Sequence, residues 1–383
     1  MQTKKEYALY IHIPFCARKC NYCDFISYAG IEHLIPEYLE ALSREINFYA
    51  ENLKKPQLKT VYFGGGTPSL LDTKEIRHIL DHIRAGFKIS QSPETTMEVN
   101  PGTLNFMKLV KLNKMGINRL SIGAQSFNDE LLKTLGRIHS AAEIRNTFQA
   151  ARYAGFDNVN LDLIFALPNQ SVEDWEKTLK EATALRPDHI STYNLIIEEG
   201  TPFYEARASL LIPSEEEECQ MFELAIDFLT HAGFIHYEIS NFAKPGKRCQ
   251  NNLTYWDNEE YIGVGTGATS YIDGRRYSNT KKVDTYIKLW KDEDMGKNLL
   301  QEHKNFKRKI KQEVSDAVFL GLRKLDGIDA NEILSRYGLD VFDLYKNEVK
   351  DLAERELIQI DNSRIKLSKR GLFLANEVFE KFV

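Results

Sequence analysis

Cys16, Cys20 and Cys23 fall within eight positions, although the 383-residue chain has only five cysteines. Thiolates are soft donors that suit zinc and iron–sulfur centres. A structural zinc site usually takes four protein ligands, and no fourth cysteine or histidine follows closely. Three thiolates can instead hold three irons of a cubane cluster and leave the fourth iron open to a small molecule. The plainer alternatives are buried cysteines without a ligand, or a redox Cys-x-x-Cys.

These cysteines follow Tyr7 to Ile13, a β-forming run that Pro14 ends. An amphipathic helix is expected over Ile35 to Asn52, then a strand Thr60-Val61-Tyr62-Phe63 running into Gly64-Gly65-Gly66-Thr67-Pro68. The pattern recurs. Strands are expected over Thr95–Val99, Arg119–Ala124, Asn158–Phe165 and His189–Ile197, and helices over Lys74–Ile89, Leu104–Met115, Ser140–Ala154 and Val172–Leu185. Such alternation implies a parallel sheet with crossover helices, whose ligand sites gather at the carboxyl ends of the strands. Gly65 and Gly66, Glu98, Gln125 and Asp162 all lie at or near such ends.

Beyond Glu198 the regularity changes. Ser214 to Gly233 is expected to be a helix with an acidic start, Tyr237 to Ala243 one strand, and Lys244 to Asp257 irregular. From about Phe306 the chain reads as helical and charged, with a wing-like hairpin near Ile365 to Gly371. A net charge of −5 gives no basic field for nucleic acid. Free thiols beside a cluster loop point to a reducing, cytoplasmic setting. A hydrophobic content of 43% includes no run of membrane-spanning length. Peripheral membrane contact and a homodimer both stay open.

The Cys-x3-Cys-x2-Cys spacing, with Tyr22 before the last cysteine, resembles the cluster loop of the radical S-adenosylmethionine (SAM) superfamily. That resemblance implies a partial TIM-like (β/α)6 barrel carrying a 4Fe-4S cluster and SAM. It implies a SAM amino-group contact at Gly65, Gly66 and Thr67, a ribose or charged-end contact at Glu98, and ribose or methionine contacts at Gln125 and Asp162. Arg137 would pair with the SAM carboxylate. Tyr10 and Tyr22 would flank cluster and SAM, and Ile196 would lie near the adenine.

Asn160-Leu-Asp-Leu-Ile-Phe-Ala-Leu-Pro168 is similar to a segment of the oxygen-independent coproporphyrinogen III oxidase group, except that Ala166 replaces a glycine. The same resemblance divides the chain into a core over 1–235, an extension over 236–300 and a mainly helical, winged-helix-like domain over 301–383. The oxidases carry a fourth cysteine where this chain has Phe25, and a longer segment before the first strand. Both differences resemble the HemW branch of haem chaperones, which implies haem as cargo and apo-haemoproteins as acceptors. The alternative is the oxidase, a radical decarboxylation in porphyrin synthesis. The branch's His-Asn-x-x-Tyr-Trp segment, associated with haem, appears as Asn251-Asn252-Leu253-Thr254-Tyr255-Trp256. Asn252, Tyr255 and Trp256 match. The histidine position is Asn251, so Cys249 and His236 become alternative iron ligands.

Overall fold

The computed structural model describes residues 5–292 and 308–383; the expected start of the last domain, at 301, and of its helical stretch, near Phe306, lie outside them. Six strands succeed one another in parallel: β1 (Glu6–Ile13), β2 (Gln57–Gly65), β3 (Lys88–Val99), β4 (Arg119–Gln125), β5 (Val159–Phe165) and β6 (His189–Asn194). Between them run α1 (Ile35–Asn52), α2 (Thr73–Gly86), α3 (Phe106–Lys114), α4 (Asp129–Thr134), α5 (Ala141–Tyr153) and α6 (Val172–Ala184). After β6 come α7 (Pro202–Ala206), α8 (Glu215–His231), a hairpin of β7 (Ile235–Glu238) and β8 (Asn241–Ala243), and α9 (Gln250–Trp256). The strands β9 (Tyr261–Val264), β10 (Thr269–Ile272) and β11 (Arg275–Ser278) then join the opposite edge, followed by α10 (Val283–Lys291). The eleven-stranded order is β11-β10-β9-β1-β2-β3-β4-β5-β6-β8-β7, so the barrel is partial, as expected. No pairing among the described residues closes it.

The period-2 alternation of a strand sorts its side chains. Leu9, Ile11 and Ile13, Val61 and Phe63, Leu120 and Ile122, and Leu161 and Leu163 join the core under the helices. The alternate positions face the lumen and are polar: Tyr62, Glu98, Ser121, Asn160, Asp162, His189 and Ser191 hydrogen-bond among themselves. A polar lumen under an apolar shell is what a binding barrel needs.

Reciprocal capping boxes start α2 (Asp72 and Glu75), α5 (Ser140 and Glu143), α6 (Ser171 and Asp174) and α8 (Ser214 and Glu217). Each box satisfies two otherwise orphaned N–H groups. Three of them fix the far end of a loop above the barrel. The acidic start of α8 therefore includes a cap as well as a solvated face.

Three segments differ from expectation. Tyr237 to Ala243 is two strands rather than one, because the chain reverses after Glu238, whose carboxylate accepts from Asn241. The region expected to be irregular contains α9. Lys88 extends β3 well before Thr95, so α2 stops at Gly86.

The C-terminal unit has its own core around Val314, Val318, Leu322, Ile365 and Val378. Its three short strands, β12 (Ile328–Asp329), β13 (Ile358–Asp361) and β14 (Arg364–Leu367), pair antiparallel, with β13 and β14 forming the wing. Among the described residues no helix is long and apolar enough to cross a membrane.

Candidate functional site

Cys16, Cys20 and Cys23 lie on the loop after β1, and that loop is tied on two sides. Its root pairs with the loop after β2, where Gly66 N–H donates to Ile13 O (2.8 Å) and Thr67 N–H to Phe15 O (2.8 Å). Its tip is held by α4: Asn21 N–H donates to Leu135 O (3.0 Å) and its side-chain amide to Thr134 O (2.9 Å). Gly65 and Gly66 are required by this approach. Gly65 has φ +110°, and a Cβ there would lie 2.5 Å from the His12 ring. A Cβ on Gly66 would meet Phe15 O at 2.8 Å and Cys16 Sγ at 3.0 Å.

A cavity of about 370 Å³ opens above the strand ends. The three cysteines, Gly65–Thr67, Glu98, Gln125, Arg137 and Asp162 line it, with Tyr22 on one wall and Phe25 and Ile196 at the rim, each 63% exposed. Tyr10 is the exception among the expected residues. It lies a layer beneath, stacked on Tyr62 at 6.0 Å and bonded to His12 Nδ1 at 3.1 Å.

Polar donors converge on sulfur. Thr67 Oγ1 donates to Cys16 Sγ (3.5 Å) and Arg137 Nη1 to Cys20 Sγ (3.4 Å). Burial raises the Cys16 and Cys23 thiols above their usual range, an effect that the hydroxyls of Thr67 and Ser27 oppose at Cys16. Among the described residues no three His, Cys, Asp or Glu groups converge as for a single ion; a cubane takes one thiolate at each of three separate corners.

The carboxylates sit deeper. Glu98 accepts from Gly65 N–H (3.1 Å) and from Tyr62 (3.0 Å). Burial first, then the neighbouring Asp162, pushes its carboxyl up to about 7. Asp162 accepts from Ser121 (2.9 Å) and Asn160 (2.8 Å), and burial raises it too. Gln125 reaches the cavity from a bulge at the end of β4, with φ +65°.

Two residues not singled out in the sequence complete the wall. Asn100 bridges Arg137 and Thr67, and Gly123 O accepts from Arg137 Nη2 at 2.9 Å. The alternation Glu98, Asn100 and Arg119, Ser121, Gly123 carries their signal, since all share the lumen face of their strands.

The Asn-Asn-x-x-Tyr-Trp segment is α9, at the other end of the strands. Glu94 accepts from the N–H groups of Gln250 and Asn251 (3.1 Å each), and Asn251 Oδ1 accepts from Thr60 (3.0 Å). Glu94 to Glu98 is four residues of β3, or about 13 Å. Asn252 is half-buried. Tyr255 packs edge-on against Tyr261 at 4.7 Å. Trp256 borders a groove with Lys324, Arg336 and Tyr337, and Arg323 lies over its ring at 4.5 Å. Cys249 is buried, donates to Glu94 (3.6 Å) and is pushed up to about 12 by burial. His236 stacks on Phe242 at 4.2 Å, and burial lowers it to about 4.

Partial barrel, three-cysteine loop and lumen site together define a radical SAM protein, and the comparisons agree. The Radical SAM superfamily model matches residues 10–182, and that of the HemN C-terminal domain matches 311–374. The solved coproporphyrinogen III oxidase HemN of Escherichia coli, described as a radical SAM enzyme, aligns with a TM-score of 0.84 and 25% identity, covering 99% of this chain and 90% of that one. The curated "Heme chaperone HemW" of Bacillus subtilis is 38% identical over 98% of both chains. That of Lactococcus lactis is 36% identical over 99% of this chain and 98% of its own. The chain belongs to the HemW family.

Proposed function

We propose that this protein binds haem and delivers it to apo-haemoproteins, and that it holds a 4Fe-4S cluster and SAM. The observation that carries the reading is kinship with curated HemW proteins along nearly the whole chain. Phe25, at the cavity rim where the oxidases carry a further cysteine, supports it.

The residues present fit the cluster. Donors already point at Cys16 and Cys20, the glycines leave no room for side chains beside Cys16, and the buried Nε of Arg137 has no partner among the described residues. Cys16, Cys20 and Cys23 would ligate iron. When bound, such a cluster supplies an electron for reductive cleavage of SAM. Arg137 would face the SAM carboxylate, while Gly65, Gly66, Thr67, Glu98, Gln125 and Asp162 orient the rest. Tyr22 shields one side and Ile196 borders the adenine end. Tyr10 acts from beneath, through Tyr62. Haem would lie on the outer side of α9, against Trp256, with Asn252 and Tyr255 shaping that helix. The free thiols suit a cytoplasmic setting.

The alternative, coproporphyrinogen oxidation, is favoured by the likeness to HemN. Two assays on anaerobically reconstituted protein separate the readings. Haem titration should saturate, and coproporphyrinogen with SAM should yield no protoporphyrinogen; the reverse pair of results would establish the oxidase. Cys20→Ala should abolish the cluster's visible absorbance, since three thiolates are the minimum set, and full absorbance in that variant would refute the ligand assignment.

A further inference from the structure

One polar relay in the cavity wall has a direction imposed by its donors. Arg137 has no acceptor atom, so the Asn100 atom 2.6 Å from Arg137 Nη2 is Oδ1. Nδ2 then faces Thr67 Oγ1 at 2.9 Å and donates to it. The single hydrogen of the Thr67 hydroxyl is left for Cys16 Sγ, at 3.5 Å. Meanwhile Arg137 Nη1 donates to Cys20 Sγ at 3.4 Å. One guanidinium thus serves two of the three sulfurs, the first directly and the second through Asn100 and Thr67. Bonds aligned in this way polarise one another.

Asn100 is itself held rigidly. Its N–H donates to Ser69 Oγ (3.2 Å), its carbonyl accepts from Thr103 Oγ1 (2.6 Å), and those two hydroxyls bond each other at 2.7 Å. These bonds fix the backbone at Asn100, so its amide is presented to Arg137 and Thr67 from a set position.

We propose that Asn100 is a positioning residue that orients Arg137 toward SAM and turns the Thr67 hydroxyl onto the Cys16 sulfur, so that one amide sets both SAM affinity and cluster potential. The proposal rests on the cluster-and-SAM reading. Hydrogen bonds to cluster sulfur stabilise its reduced, more negative form and raise its potential.

The test uses full-length protein reconstituted anaerobically, with two variants. Asn100→Asp keeps an acceptor for Arg137 but has no donor for Thr67, whose hydrogen turns from the sulfur to the carboxylate. Asn100→Ala removes both bonds. Both should retain the visible absorbance of the cluster, because the three thiolates remain. Asn100→Asp should lower the midpoint potential in an EPR-monitored redox titration and keep SAM affinity within about threefold. Asn100→Ala should weaken SAM about tenfold by equilibrium titration and diminish the change that SAM makes in the EPR spectrum of the reduced cluster. Wild-type potential, spectrum and affinity in both variants would overturn the assignment. So would loss of cluster absorbance in both, which would make Asn100 a strut of the fold. Wild-type protein that takes up no iron and sulfide would bring down the cofactor reading and the proposal with it.

Discussion

Glu98 is a largely buried carboxyl with two donors and, among the described residues, no cation bonded to it. Its pKa of about 7 in the folded chain lies above the ordinary 4.5, with burial the main cause. Its protonated form is therefore the one that the fold favours. That contribution to stability is full below about pH 4.5 and is lost as pH rises through about 7. A ligand that presents donors to Glu98 needs the ionised form, so the sign reverses for binding. SAM affinity should tighten by about tenfold between roughly pH 6 and 8, following the ionised fraction of a group with a pKa near 7. In Glu98→Gln that component should vanish, leaving only the pH dependence of the ligand's own amine. Identical profiles by equilibrium titration would remove Glu98 from the binding surface. A second residue tests backbone geometry. Ala166 stands where the oxidase-like group has glycine, and its φ of +57° lies in the left-handed region. Ala166→Gly relieves that strain at some cost in chain entropy, so unfolding in urea should require roughly 0.5–1 kcal/mol more.

The element that most changes the picture is α9. It has seven residues and a cysteine at its N-cap position with no side-chain cap bond, so nothing local announces a helix. Glu94, on β3 and more than 150 positions earlier, accepts from Gln250 N–H, Asn251 N–H and Cys249 Sγ. A cap supplied across the fold leaves no sequence signal, which is why the segment reads as irregular. The β7–β8 reversal is hidden for a related reason, because it uses no glycine or proline. By contrast, the six strand–helix units are legible, since each strand carries an apolar shell face and each helix an amphipathic stripe. Alternation places residues such as Tyr62 and Asn100 on the lumen face, but which site members they pack under or bridge is hidden until the strands are brought together. Glu94→Ala should cost roughly 1–2 kcal/mol in chemical denaturation and weaken haem binding while leaving cluster absorbance intact. Unaltered haem affinity would place the cargo away from α9.

At the scale of the whole molecule, the cavity and α9 lie at opposite ends of the barrel strands, and the C-terminal unit is fastened near α9. Leu325 N–H donates to Tyr237 O (3.1 Å) and Ile239 N–H to Arg323 O (3.1 Å), so the unit borders the β7 edge of the sheet. On the β9–β11 side, Asp316 accepts from Arg276 Nε (2.8 Å) and from Arg308 Nη2 (2.9 Å), while Glu313 accepts from Tyr271. Asp316 is nearly buried, and the two arginines are each about a quarter exposed. The helix Ile310–Gly321 and the turn that follows it therefore reach both sheet edges, beside the groove that Trp256 borders. Removing Asp316 leaves two largely buried cations facing each other; among the described residues Glu313 is the carboxylate left near Arg308, and Asn258 and Tyr261 are the neutral acceptors left to Arg276. Asp316→Ala should accordingly lose about 2–3 kcal/mol, below the full cost of a broken buried pair because the arginines retain some water. The loss should fall on the attachment. In wild-type protein, urea transitions followed by far-UV circular dichroism and by tryptophan fluorescence should coincide. In the variant the C-terminal unit should melt first and separate the two curves. Coincident curves at an unchanged midpoint would show that the backbone contacts at β7 hold the two units together without the ionic clamp.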